Sequence, residues 1–119
     1  MDNPFAQEPR ASSSWLWQVI TGIGLLFLLG LHLVAQHFLV KGGLRDYAEV
    51  VTYLRNPLVL VLEVLFLVCV TTHAMLGVRA ILQDFGLSAR VEQRLSRGLT
   101  GVGILTVAYS LLLLWVIIH

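Results

Sequence analysis

The sequence predicts an all-α integral membrane protein with three transmembrane helices. Two observations carry this reading. Of 119 residues, 57% are hydrophobic and only 13% are charged, and mean hydropathy is +0.82; soluble domains carry far more charge. Three long apolar runs then fill most of the chain, each long enough to cross a bilayer core, which takes about 20 residues. The length suits one domain. The net charge of +1 gives no sign of a nucleic-acid partner. The one cysteine, Cys69, lies inside an apolar run and has no internal disulfide partner. It reads as a small buried hydrophobe.

Residues 1–14 form a polar tail with Asp2, Pro4, Glu8 and Pro9. A signal peptide starts basic and turns quickly apolar, and a mitochondrial transit peptide is Arg-rich and poor in acids, so neither fits. The transmembrane part is residues 15–119, with helices at about 15–40, 57–83 and 99–118. The first span opens after Ser12, Ser13 and Ser14, any of which can cap it. Trp15 and Trp17 suit a membrane interface, and Lys41-Gly42-Gly43 closes it. The polar connection that follows has apolar residues at near-helical spacing (Leu44, Tyr47, Val50, Val51, Leu54), which suits a short interfacial helix. The second span starts at Pro57, a favoured first helical position, and holds Glu63, His73 and Arg79. Residues 86–97 read as a basic loop with Arg90, Arg94 and Arg97. The third span is uncharged. Its Gly103, Thr106 and Ser110 share one face, which suits close helix packing. Arg10, Arg90, Arg94 and Arg97 oppose Lys41, Arg45 and Arg55 across the membrane, which favours a cytoplasmic N-terminus.

An imidazole in hydrocarbon is costly and marks a functional position. His73 is followed one turn later by Gly77, whose bare backbone suits a flat macrocycle, and then by Arg79 and Asp84 near the helix end. His73 reads either as a haem-iron ligand or as a histidine bonded to a neighbouring helix. His32 carries the same two readings. At about 1.5 Å per residue the two imidazoles differ in depth by roughly 10 Å, so as ligands they would serve two stacked haems, each completed by another chain. His37 reads as an interfacial polar residue and His119 as an exposed terminal one. A quinone headgroup needs donors for its carbonyls and protons on reduction, which Arg79 and Asp84 could supply. Arg79 could equally pair with a haem propionate or snorkel to lipid headgroups. Ser13, Ser14, Gln18 and Thr21, with Trp15 or Trp17 as a wall, could face the same pocket; capping and interfacial anchoring are the plainer reading. Glu63 could lie on a proton path, but reaching the interface or bonding a partner helix suits it better.

The chain resembles the membrane-anchor (cytochrome b) subunits of succinate dehydrogenase and related fumarate reductases, over about Trp15 to Trp115. The most specific part is His73-x-x-x-Gly77-x-Arg79 followed by Asp84-Phe85-Gly86. The resemblance implies that His73 ligates haem b and that Asp84 lies at the quinone-facing edge. Leu31-His32-Leu33-Val34 and Asn56-Pro57 are similar to the two-haem members, which implies a second haem at His32. Those members often show Arg-x-Ser-Gly early in the first helix. Here Val19-Ile20-Thr21-Gly22 stands instead, so the arginine is missing.

The resemblance therefore implies an anchor forming half of a helical bundle with a second anchor subunit. It would help bind one or two haem b groups (His73, His32, Gly77, Arg79) and ubiquinone or menaquinone (Asp84, Arg79, Ser14, Gln18, Trp17). It would pass electrons from an iron–sulfur subunit, itself fed by a flavoprotein subunit, to quinone in the inner (cell) membrane of a prokaryote. Succinate chemistry would lie on the flavoprotein, not on this chain. A quinol:fumarate reductase anchor and a haem-free structural anchor remain as alternatives. A free-standing transporter is disfavoured, because three spans without an inverted repeat give no alternating-access architecture.

Overall fold

The computed structural model describes residues 13–119, all of whose regular structure is helical. Four α-helices follow in order: α1 (Ser13–Leu33), α2 (Tyr47–Leu54), α3 (Pro57–Gln83) and α4 (Ala89–Ile118). A π-helical turn, Val34–Phe38, extends α1. Three helices, α1 with its π turn, α3 and α4, are long and apolar enough to cross a membrane. The expected N-terminal tail lies outside the described residues, save Ser13 and Ser14, which open α1.

The local chemistry accounts for each boundary. Gly42 and Gly43, with φ of 81° and 77°, turn the chain after the first span in a region that L side chains avoid. Asp46 and Glu49 form a reciprocal capping box that starts α2. Asn56 Oδ1 accepts from the Leu58 amide, and Pro57 enters α3 at a position that needs no N–H. Gly86, with φ of 66°, carries the turn out of α3, and Ser88 Oγ accepts the Val91 amide at the start of α4.

Two expectations need correction. The basic stretch 86–97 is not a loop: α4 begins at Ala89, not near Leu99. Apolarity marks where a helix enters lipid, not where it starts. The first turns of α4 are a capped polar extension that places Arg90, Arg94 and Arg97 at i, i+4 and i+7 on one face. The first span also ends in a π turn at Phe38, not at Val40. Two side chains bond the backbone there: Arg45 Nη2 donates to the Ala35 carbonyl at 2.9 Å, and His37 Nδ1 pairs with the Gly43 carbonyl at 2.8 Å.

Helix α3 is central. It packs on α1 and on α4, while α1 and α4 make no close backbone contact with each other among the described residues. The short α2 touches α3 and α4, and Arg55 at its end donates to the Ile118 carbonyl at 3.4 Å. Three helices in a row leave no closed core. Among the described residues only Thr21, Leu54 and Gly103 are buried, and large side chains such as Leu26, Phe27, Ile104 and Leu105 face outward. In lipid such a surface costs nothing, and helix association relies on close packing and interhelical hydrogen bonds.

Candidate functional site

Successive residues of a helix advance by about 100°, from 3.6 residues per turn. Cys69, His73 and Gly77 therefore share one face of α3, and Thr71, Met75 and Arg79 share another, nearly opposite. The first face meets α1. The Cys69 thiol donates to the Thr21 carbonyl at 3.2 Å, His73 Nδ1 lies 3.1 Å from Thr21 Oγ1, and a Cβ added at Gly77 would meet Gln18 Nε2 at 3.7 Å. The second face meets α4. A Cβ at Gly103 would stand 3.2 Å from Met75 Cγ and 3.8 Å from Thr71 Cγ2, so Gly103 serves close packing.

Thr21 holds the ring of His73 in place. Its hydroxyl has one proton and lies 2.8 Å from the Trp17 carbonyl and 3.1 Å from that of Gln18. A proton given to either carbonyl leaves the oxygen to accept from His73 Nδ1–H, which puts the lone pair of the imidazole on Nε2. Gly22 makes room for the ring: a Cβ there would lie 3.3 Å from His73 Cε1. Sequence reasoning grouped Thr21 with the quinone edge and noted only that Val19 stands where the related motif has an arginine. Thr21 and Gly22 instead seat His73, and the signal was the small residue beside a hydroxyl.

A second polar cluster stands at the far end of the same two helices. His32 Nδ1 lies 3.0 Å from both Oε1 and Oε2 of Glu63, and the Phe66 ring sits 5.0 Å from the imidazole at 31°. Glu63, expected to reach the interface or bond a partner helix, bonds α1. Tyr53 of α2 donates to Glu63 Oε1 at 3.4 Å, and the Arg45 guanidinium lies 4.3 Å over the Tyr53 ring. Burial pushes the Tyr53 phenol above its ordinary range; the Glu63 carboxylate adds to this and Arg45 opposes it. Two grooves of about 270 and 410 Å³ share His32, Glu63 and Phe66 as walls, and the second also takes in Ser110 of α4.

The register refines the depth reading. His73 sits level with Thr21, and Glu63 level with His32, so counting along α3 from Glu63 to His73 at about 1.5 Å per residue separates the two imidazoles by roughly 15 Å, more than the sequence count gave. Among the described residues no three His, Cys, Asp or Glu side chains converge as a metal site. His32 and His73 nevertheless have the chemistry of haem ligands. In each, Nδ1 is held by an oxygen of a facing helix, which fixes the ring and leaves Nε2.

The remaining candidates gather at the end where α1 begins and α3 ends, but on different faces. Ser14, Trp17 and Gln18 lie on α1, with Gln18 over Gly77. Arg79 instead lines a groove of about 400 Å³ with Gln83 of α3 and Glu92, Gln93, Ser96 and Arg97 of α4. Its Nε is shielded and, among the described residues, has no hydrogen-bond partner. Asp84 is the exposed C-cap of α3. His37 and His119 are exposed and bond local carbonyls.

Comparison with known proteins gives the family of the chain. The family described as succinate dehydrogenase/fumarate reductase transmembrane subunit matches residues 6–113. The chain is 37% identical over 108 residues to a succinate dehydrogenase hydrophobic membrane anchor subunit of Archaeoglobus fulgidus, covering 91% of this chain and 89% of that relative. It is 28% identical over 96 residues to the protein of the same description from Thermoplasma acidophilum, covering 81% of this chain and 78% of that one.

Proposed function

Because the chain belongs to the succinate dehydrogenase/fumarate reductase transmembrane subunit family and is a membrane anchor of the succinate dehydrogenase type, we propose that it helps bind haem b and quinone. His73 and His32 would each offer one imidazole to hold a haem shared with a second anchor subunit. The complex is completed by an iron–sulfur subunit and a flavoprotein subunit, in the cell membrane of a prokaryote, with the N-terminus on the cytoplasmic side. The basic stripe of Arg90, Arg94 and Arg97 on α4 supports that orientation.

The observation that carries the haem reading is the shared state of the two histidines. Nδ1 is engaged in both, by Thr21 and by Glu63, as second-shell partners of metal-bound histidines commonly are. The open row of helices leaves faces of α1, α3 and α4 for a partner subunit to cover. A bound haem would supply one-electron transfer between the iron–sulfur subunit and quinone. This chain's residues hold the imidazoles, exclude water and close one side of the pocket.

For quinone, the polar groups at the Asp84 end of α3 provide the donors. The unpartnered Arg79 Nε favours the α3–α4 groove, where Arg79 and Gln83 can donate to a quinone carbonyl and Asp84 stands at the membrane surface to exchange protons. Ser14, Trp17 and Gln18 then wall the neighbouring α1 side. Arg79 is turned away from the His73 face, which suits quinone better than a propionate of a haem held at His73.

The test is a reduced-minus-oxidised spectrum of the complex purified with its co-expressed partners, with pyridine haemochrome quantitation, for wild type, His73→Ala and His32→Ala. Two b-type haems, one lost or shifted in each variant, are expected. One haem sensitive only to His73 would reduce His32 to a packing residue, and no haem would leave a structural anchor.

A further inference from the structure

We propose that Glu63 is a positioning residue for His32: it fixes the ring orientation and tautomer of the imidazole, and its negative charge lowers the redox potential of the haem that His32 holds. The inference rests on the reading of His32 as a haem ligand and goes beyond it by assigning a role to a carboxylate that the membrane would otherwise penalise.

A carboxylate within a transmembrane helix is expensive and needs a partner. Glu63 is only 16% exposed and spends both of its oxygens, each 3.0 Å away, on one nitrogen of His32. The imidazole itself is 31% exposed and so keeps an open side. A carboxylate only accepts hydrogen bonds, so Nδ1 carries the proton and Nε2 carries the lone pair. Phe66 restrains the ring plane from a third direction, at 5.0 Å.

The carboxylate is itself held. Tyr53 reaches in from the interfacial helix and donates to Oε1, and Arg45 lies over the Tyr53 ring and donates to the Ala35 carbonyl in the π turn that follows His32. The connection between the first two spans thus braces Glu63 from outside the membrane segment. π turns recur at functional sites, and this one begins two residues after the imidazole.

A negative charge on the far nitrogen of an axial imidazole makes that ligand a better electron donor and favours the oxidised iron. His73 has a neutral hydroxyl in the equivalent place. The two ligands therefore differ by one carboxylate, and the haem held by His32 should have the potential more depressed by its second shell.

The experiment is a potentiometric titration of the complex, purified with its partners, following the reduced haem bands of wild type, Glu63→Gln, Glu63→Leu and His32→Ala. Glutamine keeps an acceptor for Nδ1–H and removes the charge. Glu63→Gln should therefore retain full haem content and shift the midpoint upward for one haem only, the one that His32→Ala loses. Glu63→Leu removes the acceptor as well and should lose part of that haem. An unchanged midpoint in Glu63→Gln, or an equal shift of both haems, would overturn the proposal while leaving His32 as a ligand. A His32→Ala complex with full haem content and unchanged potentials would overturn the ligand reading, and this proposal with it.

Discussion

Thr21 Oγ1 and His73 Nδ1 stand 3.1 Å apart across the α1–α3 interface, and Thr21 is the one polar residue that is buried among those described, at 8% exposure. This bond is the principal polar tie between the two helices at that level. Thr21→Val keeps the shape and removes the acceptor, leaving an imidazole N–H without a partner, at a cost of about 1–3 kcal/mol. Thr21→Ser should restore it. Thermal unfolding of the detergent-solubilised complex would show the ordering wild type, Ser, Val; a Val variant as stable as wild type would mean that the bond contributes nothing.

Gly22 and Gly30 offer a matched pair. A methyl group at Gly22 would press on His73 Cε1 at 3.3 Å, whereas one at Gly30 meets nothing within 4 Å. The ring at Gly22 cannot swing away without stretching its bond to Thr21. Gly22→Ala should destabilise by about 1–3 kcal/mol, the usual cost of overpacking, and alter the haem spectrum attributed to His73. Gly30→Ala should be neutral or slightly stabilising, since alanine is the better helix former. Equal behaviour of the two variants would show that the imidazole does not rest on Gly22.

Arg79 lines the α3–α4 groove while Gln18 of α1 stands over Gly77 on another side of α3, which makes their contributions separable. If the quinone headgroup uses the α3–α4 groove, Arg79→Leu removes a charge-assisted hydrogen bond, worth about 1.5–3 kcal/mol. That corresponds to roughly a 10–100-fold loss in kcat/KM for quinone, with haem content unchanged. Gln18→Leu should stay within about twofold on the same scale. Steady-state quinone reduction by the purified complex would read both, and the reverse ordering would move the site to the α1 side.

The three spans were legible because a bilayer demands continuous apolarity, and the sequence has it. The first turns of α4 were not, because Arg90, Glu92, Arg94 and Arg97 give no hydrophobic signal and the Ser88 cap stands well ahead of the apolar run that opens near Leu99. The split between His73 and Arg79 was available from the sequence: six residues along a helix leave two side chains about 120° apart around its axis, so the motif does not put both on one face. Cross-helix register was not available. Thr21 and His73 are 52 positions apart, and His32 and Glu63 are 31; only the packing of α1 on α3 decides which small or charged residue stands opposite which histidine.

Tyr53 gives a pH-dependent check on the outer cluster. Its phenol is raised above the ordinary value of 10.0 chiefly by burial, then by the charge and hydrogen bond of Glu63, with Arg45 pulling the other way. Below pH 10 the phenol is neutral in both folded and unfolded chains, and its contribution to stability is intact. As pH climbs past 10 the unfolded chain releases its proton first, so the contribution fades and is gone once the folded phenol has also ionised. The hydrogen bond is long at 3.4 Å, so at neutral pH Tyr53→Phe should cost about 1 kcal/mol or less. Subtracting the near-ultraviolet phenolate titration of Tyr53→Phe from that of wild type isolates this residue. The difference should show one tyrosine titrating above 10.0, and Glu63→Gln should bring it down only part of the way, because burial is the leading cause. A Tyr53 that titrates at or below its ordinary value would mean that α2 does not press its phenol against Glu63, and the bracing of the His32 pair from the membrane surface would be lost with it.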